Sequence, residues 1–195
     1  MLATANPGKI SELRALLAGL DVEVIAQAAL GVPCVPETGS TFAENALIKA
    51  HYAARLTGLA AVADDSGLEV DALNGAPGVH SARYAGPSAT DSDNNARLLK
   101  QLAGTMPRTA RYRCVLAYLA AANAQPILCA ATWEGAIATA ARGAGGFGYD
   151  PLFLVAGDRE QRTAAELAPA EKNRISHRAQ ALAQLRAVLA TGRPQ

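Results

Sequence analysis

Aromatic residues are scarce, at 5% of the 195 residues. The core must then rest mainly on Ala, Leu and Val, a composition suited to helices packed on a sheet. Charge of one sign is also missing. Eighteen Lys and Arg against 17 Asp and Glu leave a formal net charge of +1. That balance gives no electrostatic footprint for nucleic acid or an anionic membrane, though it leaves room for a local basic pocket. No apolar run approaches 20 residues and no secretory segment opens the chain, so neither a spanning helix nor a signal peptide is expected. Three cysteines, Cys34, Cys114 and Cys129, form an odd set without CxxC spacing. Cys114 and Cys129 sit in apolar runs as core thiols do, and a reducing cytoplasm is the expected location. His51, His80 and His177 are too scattered to suggest zinc. The phosphate loop GxxxxGK[ST] is absent, as are internal repeats and linkers.

What is present points to a folded chain. Hydrophobic residues make up 50% and charged residues 18%, which argues against disorder. The length suits one domain, 1–195, or one domain with two lobes.

The central feature is Ala61-Val62-Ala63-Asp64-Asp65-Ser66-Gly67. A short apolar run reads as a buried strand ending on two adjacent carboxylates. Such a place could hold a hard cation and activate water. Asp, Ser and Gly are equally good turn formers, so a plain turn between strands is the alternative. Residues 68–73 alternate as a second, half-buried strand would.

Upstream, Asn6 is a good N-cap and Pro7 fits the first helical position. Ile10, Leu13, Leu17 and Leu20 follow at helical spacing. Gly8 and Lys9 at that junction make either an anion site, where free N–H groups and the dipole meet phosphate, or a capped surface helix with a solvated lysine. Residues 22–26 alternate and predict a strand. Thr41 and Glu44 form a capping box opening a helix through Arg55, with Phe42, Ala46, Ala50, Ala53 and Ala54 as its apolar side and Lys49 along it.

Downstream, residues 74–86 are rich in Gly and Pro and carry His80, Arg83 and Tyr84, which reads as an Ω-like surface loop or a lid. Asp91 or Ser92 starts a helix carrying Leu98, Leu99 and Leu102. Residues 111–121, 126–133 and 152–155 predict strands. The loop Gly145-Gly146-Phe147-Gly148-Tyr149-Asp150 lets backbone approach a ligand; its rings are either faces for a base or core aromatics. Near the C-terminus, Lys172, Arg174, His177 and Arg178 crowd around a helix start that Ser176 caps, and Ile175, Leu182, Leu185 and Leu189 give its apolar stripe. Helix N-termini prefer acids, so this basic cluster suggests an anionic or carbonyl-rich ligand. Residues 191–195 are expected to fray.

Several of these motifs coincide in one order: Thr4-Ala5-Asn6-Pro7-Gly8-Lys9, Thr41-Phe42-Ala43-Glu44-Asn45-Ala46, Ala63-Asp64-Asp65-Ser66-Gly67, Gly75-Ala76-Pro77-Gly78, Ser81-Ala82-Arg83-Tyr84, Phe147-Gly148-Tyr149-Asp150-Pro151, Glu171-Lys172-Asn173 and Ser176-His177-Arg178. Over essentially its whole length the chain resembles the Ham1/RdgB-type family of non-standard purine nucleoside triphosphate pyrophosphatases. The resemblance implies an α/β fold of two lobes around a long central mixed sheet flanked by helices, with the active cleft between the lobes, and a homodimer. It implies hydrolysis of ITP, dITP or XTP to the monophosphate and pyrophosphate, with Mg²⁺ as cofactor and no nucleic-acid or membrane partner.

The resemblance also assigns roles. Thr4, Ala5, Asn6, Pro7, Gly8 and Lys9 would hold the phosphates. Asp65 would ligate Mg²⁺ and act as base towards water, with Asp64 and Glu37 in the metal shell. Ser66 would contact the substrate, and Lys49, Lys9 and Lys172 would neutralise phosphate charge. Phe147, Gly148, Tyr149 and Asp150 would stack on and read the purine, and His177 and Arg178 would donate to its carbonyl. A Maf-like pyrophosphatase or a non-catalytic nucleotide-binding module are the alternatives; Ser176-His177-Arg178 favours the purine enzyme, and the paired acids favour catalysis. The chain departs from the family in two ways. Ala5 replaces a usual glycine, which would matter if φ were positive there. Only Met1-Leu2-Ala3 precede Thr4, so a short first strand is expected.

Overall fold

The computed structural model describes residues 1–18, 20 and 22–191. The fraying expected at 191–195 falls, beyond residue 191, outside the described residues.

Local capping signals place the helices. In α1 (Pro7–Leu17) the extended Asn6 accepts the Lys9 N–H on its side chain at 3.0 Å, and Pro7 occupies the first position, where no donor is needed. In α2 (Phe42–Thr57) both halves of the capping box form: Thr41 Oγ1 accepts the Glu44 N–H at 3.2 Å and Glu44 Oε2 accepts the Thr41 N–H at 3.2 Å. Its alanine side, with Phe42, is buried as the spacing predicts. In α3 (Asp91–Gln101) the cap is Thr90, which forms a box with Asp93.

The central stretch departs from the expected turn. Ala61–Val70 is one continuous strand, β1, so Asp64 and Asp65 lie within it and not at its end. Turn propensity is local, whereas these acids are held by ion pairs from distant residues, described below. Residues 22–25 are not a strand either. Only Ala26 pairs, through one parallel bridge to Leu2, before Gln27–Leu30 tighten into a 3₁₀ turn. Leu2 also bridges Val62 in parallel, which is all the first strand amounts to.

Strands β2 (Thr109–Leu119), β3 (Ile127–Ile137) and β4 (Phe153–Val155) complete a four-stranded sheet ordered β1-β2-β3-β4. The β3–β4 pair is antiparallel, with Gly135 opposite Val155 and Ile137 opposite Phe153. With the parallel bridges at Leu2, the sheet is mixed. The closing segment splits at Ser176 into α4 (Pro169–Ile175) and α5 (His177–Thr191).

The chain divides into two compact units. The first comprises Met1–Asp65, Cys114–Ala131 and His177–Gln195. Its core joins Leu2, Leu13, Leu116, Leu182 and Leu185 around the buried thiols of Cys114 and Cys129. The second comprises Ser66–Arg113 and Thr132–Ser176. Its core packs Phe153, with tilted rings, at 4.6 Å from Tyr112 and 5.2 Å from Trp133, centroid to centroid, together with Leu98, Leu102 and Leu152. The passage expected to be a loop or lid is tied down in this unit. Gly78–Arg83 forms 3₁₀ turns, and the buried Ser81 Oγ accepts the Leu68 N–H at 2.9 Å and donates to Gly78 O at 2.6 Å. No helix among the described residues is long and apolar enough to cross a membrane.

Candidate active site

Successive side chains of a strand point to opposite faces, so the adjacent acids of β1 meet different partners. Asp64 is fully buried. Its Oδ1 pairs with Lys9 Nζ, and its Oδ2 accepts from Arg178 Nε at 2.8 Å and from Cys114 Sγ at 3.3 Å. Arg178 is itself buried and reaches Glu12 of α1 through Nη1. Burial alone would raise the Asp64 pKa, but Arg178 and Lys9 outweigh it and hold the carboxyl well below the usual carboxylate range. The same carboxylates keep Arg178 charged despite its burial.

Asp65 is also buried and belongs to a second cluster. Lys49 Nζ donates to Asp65 Oδ1 at 2.6 Å, to Glu37 Oε1 at 2.8 Å and to the Asp64 carbonyl at 2.8 Å. An ammonium has three donors, so every Lys49 proton is assigned. Burial works against its charge, yet Asp65 and Glu37 hold its pKa above the ordinary value. Asp65 shifts upward as well: burial disfavours its charge and Glu37 repels it, against the pull of Lys49 and Lys9. The two acids are therefore opposites, Asp64 a locked anion and Asp65 a carboxylate with raised proton affinity.

Asp65 and Glu37 converge on one cation, and this donor set fits a divalent metal of the hard type. Magnesium commonly takes one or two carboxylates and completes its shell with water and phosphate. Among the described residues no group of three or more His, Cys, Asp or Glu gathers for a metal. Asp64, with both oxygens engaged by Lys9 and Arg178, belongs to the ion network and not to that donor set.

The first loop is ordered by its own side chains. Thr4 is buried and its Oγ1 accepts the Asn6 N–H at 3.2 Å. Ala5 has no positive φ; among the described non-glycine residues only Asn74 and Gln161 do. The alanine in place of glycine is thus tolerated. Gly8 and Lys9 follow Pro7 in the first turn of α1, where backbone N–H groups favour anions. Ser66 is half-buried in β1 beside Asp65.

The second unit holds its own constellation. Asp150 is buried, and its Oδ2 accepts from Lys172 Nζ at 2.5 Å and from the Phe147 N–H at 2.9 Å. Its Oδ1 accepts from the Tyr112 hydroxyl at 3.2 Å. Lys172 Nζ also lies 5.0 Å from the centre of the Phe147 ring, within cation–π range. Phe147 is half-buried, whereas Tyr149 is buried in the core with its hydroxyl on Ser81 O at 2.8 Å. Of the two rings read as base platforms, Tyr149 therefore anchors the loop, and Phe147 is the one left partly open to solvent. His177 is buried at the start of α5 in the first unit.

A model of the Ham1 family matches residues 1–188. The chain belongs to the Ham1 family. It is 55% identical to the dITP/XTP pyrophosphatase of Methylococcus capsulatus over 188 residues, covering 95% of this chain and 92% of that one. It is 52% identical to the dITP/XTP pyrophosphatase of Salmonella typhimurium over 195 residues, with 98% of each chain covered. Among solved structures, a HAM1 protein from Coxiella burnetii superposes with a TM-score of 0.89 at 50% identity over 98% of both chains. The Ham1 protein of Staphylococcus aureus gives 0.85 at 40% identity over 97% of both.

Within this Ham1 chain, sequence reasoning overlooked several site residues. Glu12 and Cys114 complete the Asp64–Arg178 network, and nothing local marks them. Asn45 was detectable, because it lies four residues before Lys49 on the same side of α2. Its Oδ1 accepts the Gly39 N–H at 2.8 Å and so pins the loop that carries Glu37.

Proposed function

We propose that this chain hydrolyses non-standard purine nucleoside triphosphates, ITP, dITP and XTP, to the monophosphate and pyrophosphate. The observation that carries the reading is Lys49, whose ammonium joins Asp65 and Glu37 in one half-buried cluster. The names of the close relatives support the substrate class.

Asp65 is the base. Its raised proton affinity suits it to take a proton from water attacking the α-phosphorus. Lys49 holds the Asp65 carboxylate in one orientation and adds positive charge where phosphate charge develops. The cofactor proposed is Mg²⁺, which Asp65 and Glu37 would hold and which would supply polarisation of the phosphate oxygens and a lowered pKa for bound water. The Thr4–Lys9 loop and Ser66 hold the phosphates, with Lys9 at a helix N-terminus. Asp64 and Arg178 keep Lys9 and α1 in place.

The purine is read by Phe147, Gly148 and Asp150, with Lys172 and Tyr149 fixing their loop, and by a donor at His177; Arg178, held by Asp64 and Glu12, supports that helix start and does not itself donate to the base. Hypoxanthine and xanthine present an acceptor at position 6, where adenine presents a donor. A donor facing a donor leaves buried groups unpaired, at about 1–3 kcal/mol each. The residues 1–195 form one catalytic domain, which acts as a cytoplasmic homodimer on the nucleotide pool.

The test is a product-resolved assay with the common nucleoside triphosphates plus ITP, dITP and XTP, with and without Mg²⁺. The expected products are monophosphate and pyrophosphate, formed preferentially from the last three and only with metal. Asp65→Asn should lower kcat on the order of 10²–10⁴-fold. Orthophosphate as the first product, or an unchanged Asp65→Asn rate, would overturn the assignment.

A further inference from the structure

Gly148 sits between Phe147 and Tyr149 in the glycine-rich loop, and both of its backbone groups are held by side chains of one helix. Its N–H donates to Asp91 Oδ2 at 2.6 Å, and its carbonyl accepts from Asn95 Nδ2 at 2.9 Å. Asp91 and Asn95 are four residues apart on the first turns of α3, hence on one side of that helix. Gly148 has φ +62°, a conformation open to glycine and costly for other residues. All three residues belong to the second unit.

We propose that Asp91 and Asn95 are positioning residues for base selection, acting through Gly148 on the Phe147 ring. The inference rests on the reading above that the Phe147–Asp150 loop holds the purine. Two anchors act on adjacent residues of that loop. Asp150 takes the Phe147 N–H from within the loop, and α3 takes both backbone groups of Gly148 from outside it. Phe147 is thereby fixed from both sides along the chain, with Lys172 on its face. A platform held this way presents its ring at one height and tilt. Discrimination between bases of nearly equal area depends on such rigidity, because a loose ring would follow whichever base enters. The helix carries no ligand contact of its own in this scheme; its function is exerted through the glycine.

Two isosteric substitutions separate this role from general stability. Asp91→Asn keeps an acceptor oxygen for the Gly148 N–H, whereas Asp91→Ala removes it. Asn95→Asp keeps the shape but sets an acceptor against the Gly148 carbonyl. The measurement is kcat/KM for ITP and for ATP, with thermal melting of each variant. Asn95→Asp and Asp91→Ala should raise KM for ITP on the order of tenfold, with a smaller change in kcat, and narrow the ITP-over-ATP ratio. Asp91→Asn should retain most of the wild-type ratio. Phe147→Ala and Asp65→Asn serve as controls. If Phe147→Ala narrows the ratio while Asn95→Asp and Asp91→Ala leave it intact, α3 has no part in selection and the inference fails alone. If Phe147→Ala leaves the ratio intact, the base-reading role of the loop fails and takes the inference with it. Full activity in Asp65→Asn overturns the chemistry independently of both.

Discussion

Asp64 and Asp65 are neighbours in one strand, yet the first is sealed between Lys9 and Arg178 while the second faces Lys49 at 2.6 Å. The alternation of a β-strand separates them, and a turn at this place would not. One acid is locked in a buried ion network, and the other has raised proton affinity.

Asp64→Asn is therefore expected to cost stability. The change sets a neutral amide against Lys9 and the buried Arg178, which keeps Glu12, and breaking a buried pair from one side costs about 3–5 kcal/mol. Asp65→Asn should cost clearly less, because Lys49 retains Glu37 and the Asp64 carbonyl. Urea unfolding of the two variants decides this; equal losses would mean that the acids share one role.

The pH dependence of that loss follows from the lowered Asp64 pKa. A carboxyl depressed in the folded state contributes fully above its unfolded value, about 3.9, and loses the contribution as pH falls through the lower folded value. The difference in unfolding free energy between wild type and Asp64→Asn should be flat from about pH 7 to 5 and shrink only below about pH 4. A difference that grows as pH falls from 7 to 5 would place the folded Asp64 pKa above the ordinary carboxylate value.

Gly39→Ala should weaken the metal response without touching a metal ligand. A Cβ at Gly39 would lie 2.6 Å from Glu44 Cβ and 2.8 Å from Asn45 Oδ1. The loop carrying Glu37 must then shift away from α2. Supporting contacts of this kind change metal affinity about 10–100-fold, so half-maximal activity should need at least roughly tenfold more Mg²⁺. Manganese binding measured by electron paramagnetic resonance in the presence of a non-hydrolysable ITP analogue should weaken in parallel. An unchanged metal requirement would show that the Gly39–Asn45 contact is irrelevant to Glu37.

The thiols should divide sharply. Cys34 is exposed, whereas Cys114 and Cys129 are buried and burial raises the pKa of both. With an aromatic disulfide reagent, one thiol should react rapidly in the folded protein and all three in denaturant. Rapid reaction of Cys114 would mean that the Asp64 network opens readily.

Capping chemistry was legible because it is local. Asn6 with Pro7, and Thr41 with Glu44, specify helix starts through contacts within three residues. The buried alanine side of α2 follows from spacing alone. Family motifs carried the functional assignment, since their order along the chain survives without any knowledge of the fold. The alternation at 22–26 misled, because a strand also needs a partner along its length and only Ala26 finds one.

The paired acids show where sequence ends. By itself the chain determined its helix starts through local capping, and the order of its motifs pointed to the Ham1 family. Only tertiary structure decided that Asp64-Asp65-Ser66-Gly67 is strand and not turn, that Asp64 meets Lys9 and Arg178, and that Lys49 links Asp65 to Glu37. The reason is physical. A charge can remain inside a strand only where opposite charges are brought to it, and those partners lie far along the chain, joined to it by packing and not by local preference.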